Sequence, residues 1–323
     1  VQKQLQLWSF VQQQLQSGQP VMLLYVLESL GSSPGRQGFG MAVTAGGEMI
    51  GSIGGGMMEH KLVELAKTRF NTNSNESVYH KQIHDKTAAK NQSGMICSGE
   101  QSVFIHLLEE SEATTVNAIV QSLKDNRNGT LQIEPSGISF WDTIPSTDFE
   151  FDFKSETEFS YREKTGFREH LYIVGGGHCA LAFSQLMRGL DFKIHLIEER
   201  PQLNTLLKNE FAHEVIIVND YSETGNHIPD GASNYVVLMT FGYRTDAIAI
   251  RTLQQKKLAY LGMLGSRNKI NTLFKEMEAE DVLAKFVTPV HAPVGLPIKS
   301  RTPEEIAISI AAEIIQVKNK ELK

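Results

Sequence analysis

Between residues 171 and 265 five short apolar runs, "LYIVG", "KIHLIE", "EVIIV", "YVVLMT" and "AYLGMLG", alternate with longer segments, most of them of helical length. Runs this uniformly apolar have no polar face to turn to water. Both faces of the sheet they form must be covered, and the intervening segments supply crossover helices to do so. The pattern predicts a Rossmann-like parallel sheet over residues 169–323, with helices on both faces. Its closing helix begins at "TPEE". Thr302 can cap it, Pro303 suits the first turn and Glu305 completes a capping box, with Ile306, Ile310, Ile314 and Val317 as the buried stripe.

The first run ends in a glycine corner. Gly175, Gly177 and Ala180 fit G-x-G-x-x-A where a strand gives way to a helix. Glycine there permits a tight turn and lets a pyrophosphate approach the backbone, while the helix start offers unpaired N–H groups. Glu198 and Glu199 end the second run about 20 residues on, where a carboxylate would take a ribose 2′-hydroxyl, and Arg200 beside them suits a 2′-phosphate. His178, at the helix start, could touch a phosphate or serve as a cap. The competing explanation is steric: the glycines pack helix against strand. Arg267, in "LGSRNK", follows the fifth run at the carboxyl edge where α/β ligands bind.

Residues 1–168 read differently, as a smaller mixed α+β domain with a linker. The chain opens on a helix with Leu5, Trp8, Val11 and Leu15 on one side, without the continuous apolar core of a signal peptide. A buried strand "VMLLYVLES", an irregular loop "GSSPGRQG" and a hairpin follow, and then comes "GSIGGGMMEHKLVELAK", a second strand-to-helix corner. No Walker lysine-serine pair is present, yet N–H groups at a helix start can hold an anion, and Ser32, Ser33 and Arg36 could add donors. A corner that needs glycine only for steric reasons is the alternative. "EQSVFIHLL" reads as a strand, Ser111 as the cap of the next helix, and residues 129–168 as short strands followed by a charged polar stretch.

Charge and cysteine usage narrow the function. A net charge of −6 over 323 residues, without a basic cluster, argues against nucleic-acid binding. The apolar runs are too short to span a membrane. Two cysteines, Cys97 and Cys179, form no disulfide framework and suggest a cytoplasmic setting. Cys97 lies in the glycine-flanked loop "GMICSGEQ", where a thiol is accessible, although a free cysteine can equally be an inert buried residue. His80 and His84 have the spacing of a metal pair but no carboxylate partner, so surface histidines are the simpler reading.

"GSSP…G", "GSIGGGMMEHKL" and "MICSGE", followed by "LYIVGGGHCALAF", "IEERP", "MTFGYRTD", "YLGMLGSRNK" and "VHAPVGLPIKSRTPEEIAISIAAEI", together resemble the XdhC/CoxI family from Val21 to Val317. The resemblance implies a maturation factor for molybdenum hydroxylases such as xanthine dehydrogenase. Such a factor binds molybdenum cofactor (molybdopterin), protects it during sulfuration by a cysteine desulfurase, and passes it to the apoenzyme. It would be a cytoplasmic cofactor chaperone without turnover of its own, and a homodimer. On this reading Gly54, Gly55 and Gly56, with Ser33, Arg36 and Glu59, grip the molybdopterin phosphate, and Cys97 sits near the metal or its terminal sulfur. The Rossmann half, through Gly175, Gly177, His178, Glu198 and Arg267, would hold NAD(P) or another nucleotide. The chain departs from the family pattern at Cys97-Ser98-Gly99, where Cys-Gly-Gly is usual, at Gly35, which intervenes before Arg36, and at Phe241, which replaces a histidine. Two other readings are an NAD(P)-dependent oxidoreductase, for which no proton-donor constellation stands out, and a nucleotide-binding protein without pterin.

Overall fold

The computed structural model describes residues 1–71, 76–83, 99–280 and 282–320. His84 and Cys97 lie outside them. The chain divides into two compact units, Val1–Gly166 and Phe167–Lys323.

The first unit opens with helix α1 (Gln2–Gln16) and strands β1 (Val21–Gly31), β2 (Gly40–Thr44) and β3 (Met49–Gly51). Helix α2 (Gly56–Asn71) and strands β4 (Val78–Ile83) and β5 (Gly99–Leu108) follow. Among the described residues these strands form an antiparallel sheet in the order β3-β2-β1-β5-β4. β1 is its centre, and side chains of a strand alternate between faces. Val21, Leu23, Tyr25 and Leu27 pack with Leu7, Trp8 and Val11 of α1. Met22, Leu24 and Val26 pack with Leu62, Val63 and Ala66 of α2 on the other side. An unbroken apolar run is what a strand covered on both faces requires.

Helix α3 (Ala113–Lys124) and strands β6 (Gly129–Glu134), β7 (Gly137–Trp141), β8 (Phe149–Ser155) and β9 (Glu158–Thr165) complete this unit. The strands form a second antiparallel sheet, ordered β7-β6-β9-β8. The charged stretch expected near residue 150 is thus a pair of strands. Its charges alternate with Phe149, Phe151, Phe159 and Tyr161, which join the core. Ser111 does not cap α3: Glu109 and Glu112 form a capping box around the short 3-10 turn that leads into it.

The second unit runs β10 (Glu169–Val174), α4 (His178–Arg188), β11 (Phe192–Glu198), α5 (Asn204–Leu207), β12 (Glu214–Ile217) and α6 (Thr224–His227). It continues with β13 (Gly231–Leu238), α7 (Tyr243–Arg251), β14 (Leu258–Met263), α8 (Arg267–Ala279), β15 (Val290–His291) and α9 (Pro303–Lys318). The sheet is parallel, ordered β12-β11-β10-β13-β14-β15. Numbered within the unit this is 3-2-1-4-5-6, the doubly wound order, whose strand order reverses between β10 and β13. Apolar cores fill both faces. Thr302 caps α9 through the Glu305 N–H, and Glu305 returns the bond, as the sequence predicts. Ala307 and Ala311 complete the buried stripe of α9, while Ile306 and Val317 are only partly covered. Among the described residues no helix is long and apolar enough to cross a membrane.

Candidate functional site

In the first unit, three segments distant in sequence meet at backbone contact. A Cβ on Gly35 would lie 2.0 Å from the Ile53 carbonyl oxygen, and one on Gly54 would lie 2.5 Å from the Gly35 nitrogen. A Cβ on Gly99 would fall 2.8 Å from the Ser33 nitrogen. The Gln101 amide ties the segments further by donating to the Ile53 carbonyl at 2.8 Å. Glycine is therefore obligatory at these positions, and the loop that carries Ser33 and Arg36 packs directly on the glycine corner. Ser33 is buried and Arg36 exposed. Gly54, Gly55 and Gly56 have φ of 127°, 74° and 71°, a run of left-handed backbone that only glycine adopts at little cost. A Cβ on Gly55 or Gly56 would meet nothing within 4 Å, so this side of the corner is open.

The corner's N–H groups are not all waiting for a ligand. The Glu59 carboxylate accepts from Ile53 N–H at 2.9 Å, Gly55 N–H at 3.1 Å and the Ser52 hydroxyl at 2.7 Å. The expectation of an open phosphate cradle is corrected at those two amides. Glu59 reaches back from the first turn of α2 and occupies the anion position itself. Beside the corner a cleft of about 320 Å³ is lined by Gln4, Leu7, Tyr25, Phe39, Ile50 and Ser52, among others.

In the second unit the corner joins β10 to α4. Gly175 has φ 104°, and a Cβ there would come within 2.6 Å of the Met239 carbonyl oxygen and 2.8 Å of the Thr240 Cα. That glycine serves the fold. Ala180 is fully buried, which permits close packing of helix on sheet. Gly177 differs. As N-cap of α4 it has φ −71° and ψ −172°, ordinary extended backbone, and a Cβ would meet nothing within 4 Å. No internal contact demands glycine there. The position faces open space at a helix start without a side-chain cap.

Glu198 lies at the end of β11, fully buried. Its carboxylate accepts from Gly176 N–H at 2.7 Å, from Glu199 and Arg200 N–H at 3.0 Å each, and from the Tyr221 hydroxyl at 3.0 Å. The Arg200 guanidinium adds a two-pronged contact, Nε to Oε1 and Nη2 to Oε2, at 2.8 Å each. Burial alone would raise the Glu198 carboxyl, but Arg200 and the N–H donors outweigh it and hold it below its ordinary value. Both oxygens are engaged, so the expectation of a ribose-binding Glu198 is corrected: a ribose hydroxyl would have to displace an internal donor. Burial, then neighbouring Glu198, push the Glu199 carboxyl up.

His178 and Arg267 are both exposed, each at the first position of its helix. Sequence reading missed the lock that ties the segment after β13 to the start of α8. Asp246, fully buried, accepts from the Thr240 N–H at 3.1 Å and hydroxyl at 2.5 Å, and pairs with Lys269 at 2.5 Å. It also missed Arg200 lying over the Phe241 ring, 4.4 Å from its centroid. The residue that departs from the family pattern at "MTFG" was the one available signal. Cys179 is half-buried against the core, and burial raises its thiol, so it is no thiolate. His80 sits on β4, partly covered, and burial lowers it. Among the described residues no three His, Cys, Asp or Glu side chains group to hold a metal ion. The metal-binding expectation at Cys97 lies outside those residues.

Known proteins fit this architecture in both halves. The XdhC Rossmann domain matches residues 171–314, and the XdhC and CoxI family domain matches residues 14–80. An Escherichia coli K12 protein, "Uncharacterized protein YqeB", is 26% identical over 309 residues, which cover 93% of this chain and 44% of that protein. A Bacillus subtilis 168 protein, described as a probable xanthine dehydrogenase subunit, is 29% identical over 157 residues, 47% of this chain and 44% of its own length. The chain thus spans less than half the length of these two relatives. The crystal structure of a xanthine dehydrogenase from Bacillus halodurans shares the fold, with a TM-score of 0.69 at 20% identity over 98% of this chain and 96% of that one. With both of its domains matched in order along the sequence, the chain belongs to the XdhC and CoxI family.

Proposed function

We propose that this chain binds molybdenum cofactor and delivers it to the apoenzyme of a xanthine dehydrogenase-type molybdenum hydroxylase. The observation that carries the reading is the convergence of Gly35, Gly54 and Gly99 at backbone contact, next to Gly55 and Gly56, whose missing side chains leave the corner open. A phosphate-bearing pterin fits such a surface. The exposed Arg36 favours the phosphate, the Ile53 and Gly55 N–H groups would serve it once it displaces Glu59, and the adjoining cleft beside Ser52 suits a flat ring. The residues that would hold the group are Ser33, Arg36 and Gly54–Gly56. Glu59 would yield these N–H partners to the phosphate. Cys97, two residues before Gly99, would offer a soft thiolate to molybdenum or its terminal sulfur. When bound, the cofactor supplies the redox centre that the client needs. This chain holds and shields it while a cysteine desulfurase provides sulfur, and acts as a cytoplasmic homodimer without turnover of its own. The Rossmann half holds a nucleotide at Gly177.

Mass spectrometry of small molecules released from freshly purified protein tests the reading. A pterin phosphate is expected from the wild type, with loss of retention in Cys97→Ser while the fold is kept. Protein from a cofactor-producing host that carries no pterin, and that does not activate the hydroxylase apoenzyme, would overturn it.

A further inference from the structure

We infer that Phe241, backed by Arg200, is the stacking platform for the base of a nucleotide held in the second unit, and that Glu198 tethers this platform instead of reading the ribose. The inference rests on the nucleotide reading of the Gly177 corner.

Phe241 is 63% exposed, at the carboxyl end of β13. A phenyl ring in that position leaves a large apolar surface in water at the sheet edge where ligands of doubly wound folds bind. One face of the ring is covered by the Arg200 guanidinium at 4.4 Å, which leaves the other face open. Arg200 cannot wander, because two of its nitrogens are held at 2.8 Å by the buried Glu198 carboxylate. The same carboxylate holds the Gly176 N–H at 2.7 Å. One group therefore fixes both the glycine turn and the guanidinium behind the ring.

The turn also touches the strand end that carries Phe241, since a Cβ on Gly175 would fall 2.8 Å from the Thr240 Cα. The open Gly177 position thus lies on a turn braced by β11 on one side and β13 on the other. A pyrophosphate at Gly177 has an aromatic surface within the same sheet edge on which its base can stack. Base–aromatic stacking depends on the π-face common to all bases. The ribose 2′-hydroxyl finds no vacant oxygen on Glu198, so the sugar contributes little to selection there.

Calorimetric titration of the full chain tests this, with ATP and NAD as probes and 2′-deoxy-ATP and inorganic pyrophosphate as controls. The wild type is expected to bind ATP and NAD, with 2′-deoxy-ATP within about twofold of ATP. Phe241→Ala should weaken ATP and NAD about tenfold or more, Phe241→Tyr should retain them, and pyrophosphate should bind all three proteins alike. If Phe241→Ala binds ATP and NAD as the wild type does, the platform is overturned and the nucleotide reading stands. Equal weakening of pyrophosphate and ATP in Phe241→Ala also overturns base recognition. If the wild type binds neither ATP nor NAD, the nucleotide reading fails and the platform with it.

Discussion

Two glutamates stand where the sequence promises a ligand. Each glycine corner reads as a row of backbone N–H groups facing an anion, and in each the chain supplies its own: Glu59 in the first, Glu198 in the second. The motif can be read from residue types, but whether a carboxylate four or twenty-odd positions away folds back onto it depends on side-chain direction and burial. Spacing does not encode that. Removing Glu59 should show its structural share. Glu59→Ala forfeits three hydrogen bonds to one carboxylate oxygen and is expected to cost about 1–3 kcal/mol, read as a lowered urea midpoint. A midpoint equal to the wild type would reduce Glu59 to a surface side chain.

The glycines themselves separate fold from function. Gly175→Ala must force a side chain into the Met239–Thr240 backbone just past β13, at positive φ, and should destabilise the second unit. Gly177→Ala meets open space at an ordinary φ, so its thermal midpoint without ligand should match the wild type. In a thermal-shift series with NAD, NADP, CTP, GTP and ATP, the midpoint shift seen for wild type should shrink or vanish in Gly177→Ala. A nucleotide at 100 times its dissociation constant raises stability by about 2.7 kcal/mol, large enough to resolve. A full shift in the variant would remove Gly177 from the site.

At the scale of elements, legibility follows the strength of the local signal. The parallel strands of the second unit are apolar throughout because helices cover both faces, and the period needs no further context. Helix α9 is readable to the residue, since "TPEE" carries cap, proline and box partner in four letters. Thr302→Ala should therefore cost the second unit about 1 kcal/mol in urea denaturation, and an unchanged midpoint would argue that its cap bond contributes nothing net. β8 and β9 are hidden by their outward charges: Glu150, Asp152 and Lys154 make the segment read as polar until Phe149, Phe151 and Tyr161 are seen to share the opposite face. Ser111 fails as a cap because the preceding 3-10 turn shifts the helix start and hands the role to Glu109 and Glu112. Contacts between such elements, including the meeting of Gly35, Gly54 and Gly99, lie beyond any local pattern.

For the molecule as a whole, the response to acid should be set in the second unit by histidines that fold in their neutral form. His213 Nδ1 accepts the Ile194 N–H at 2.9 Å, and a protonated ring has no lone pair to do so. Burial, then the Arg188 charge, lower His213 from 6.5 to about 4. Burial also lowers His195, which is wedged between His170 at 3.1 Å and Glu214 at 2.8 Å, with Glu214 offsetting only part of the effect. Between pH 4 and 6.5 the unfolded chain binds more protons than the folded one at His213, so stability rises with pH across that window. The contribution is complete above pH 6.5 and is lost as pH falls towards 4, amounting to at most about 3 kcal/mol. In His213→Gln the amide oxygen can still accept the Ile194 N–H, but nothing titrates. Urea midpoints measured every half pH unit should fall steeply below pH 6.5 for wild type and more gently for the variant. Parallel curves for the two proteins would show that His213 is not neutralised by folding, and that acid acts on the chain elsewhere.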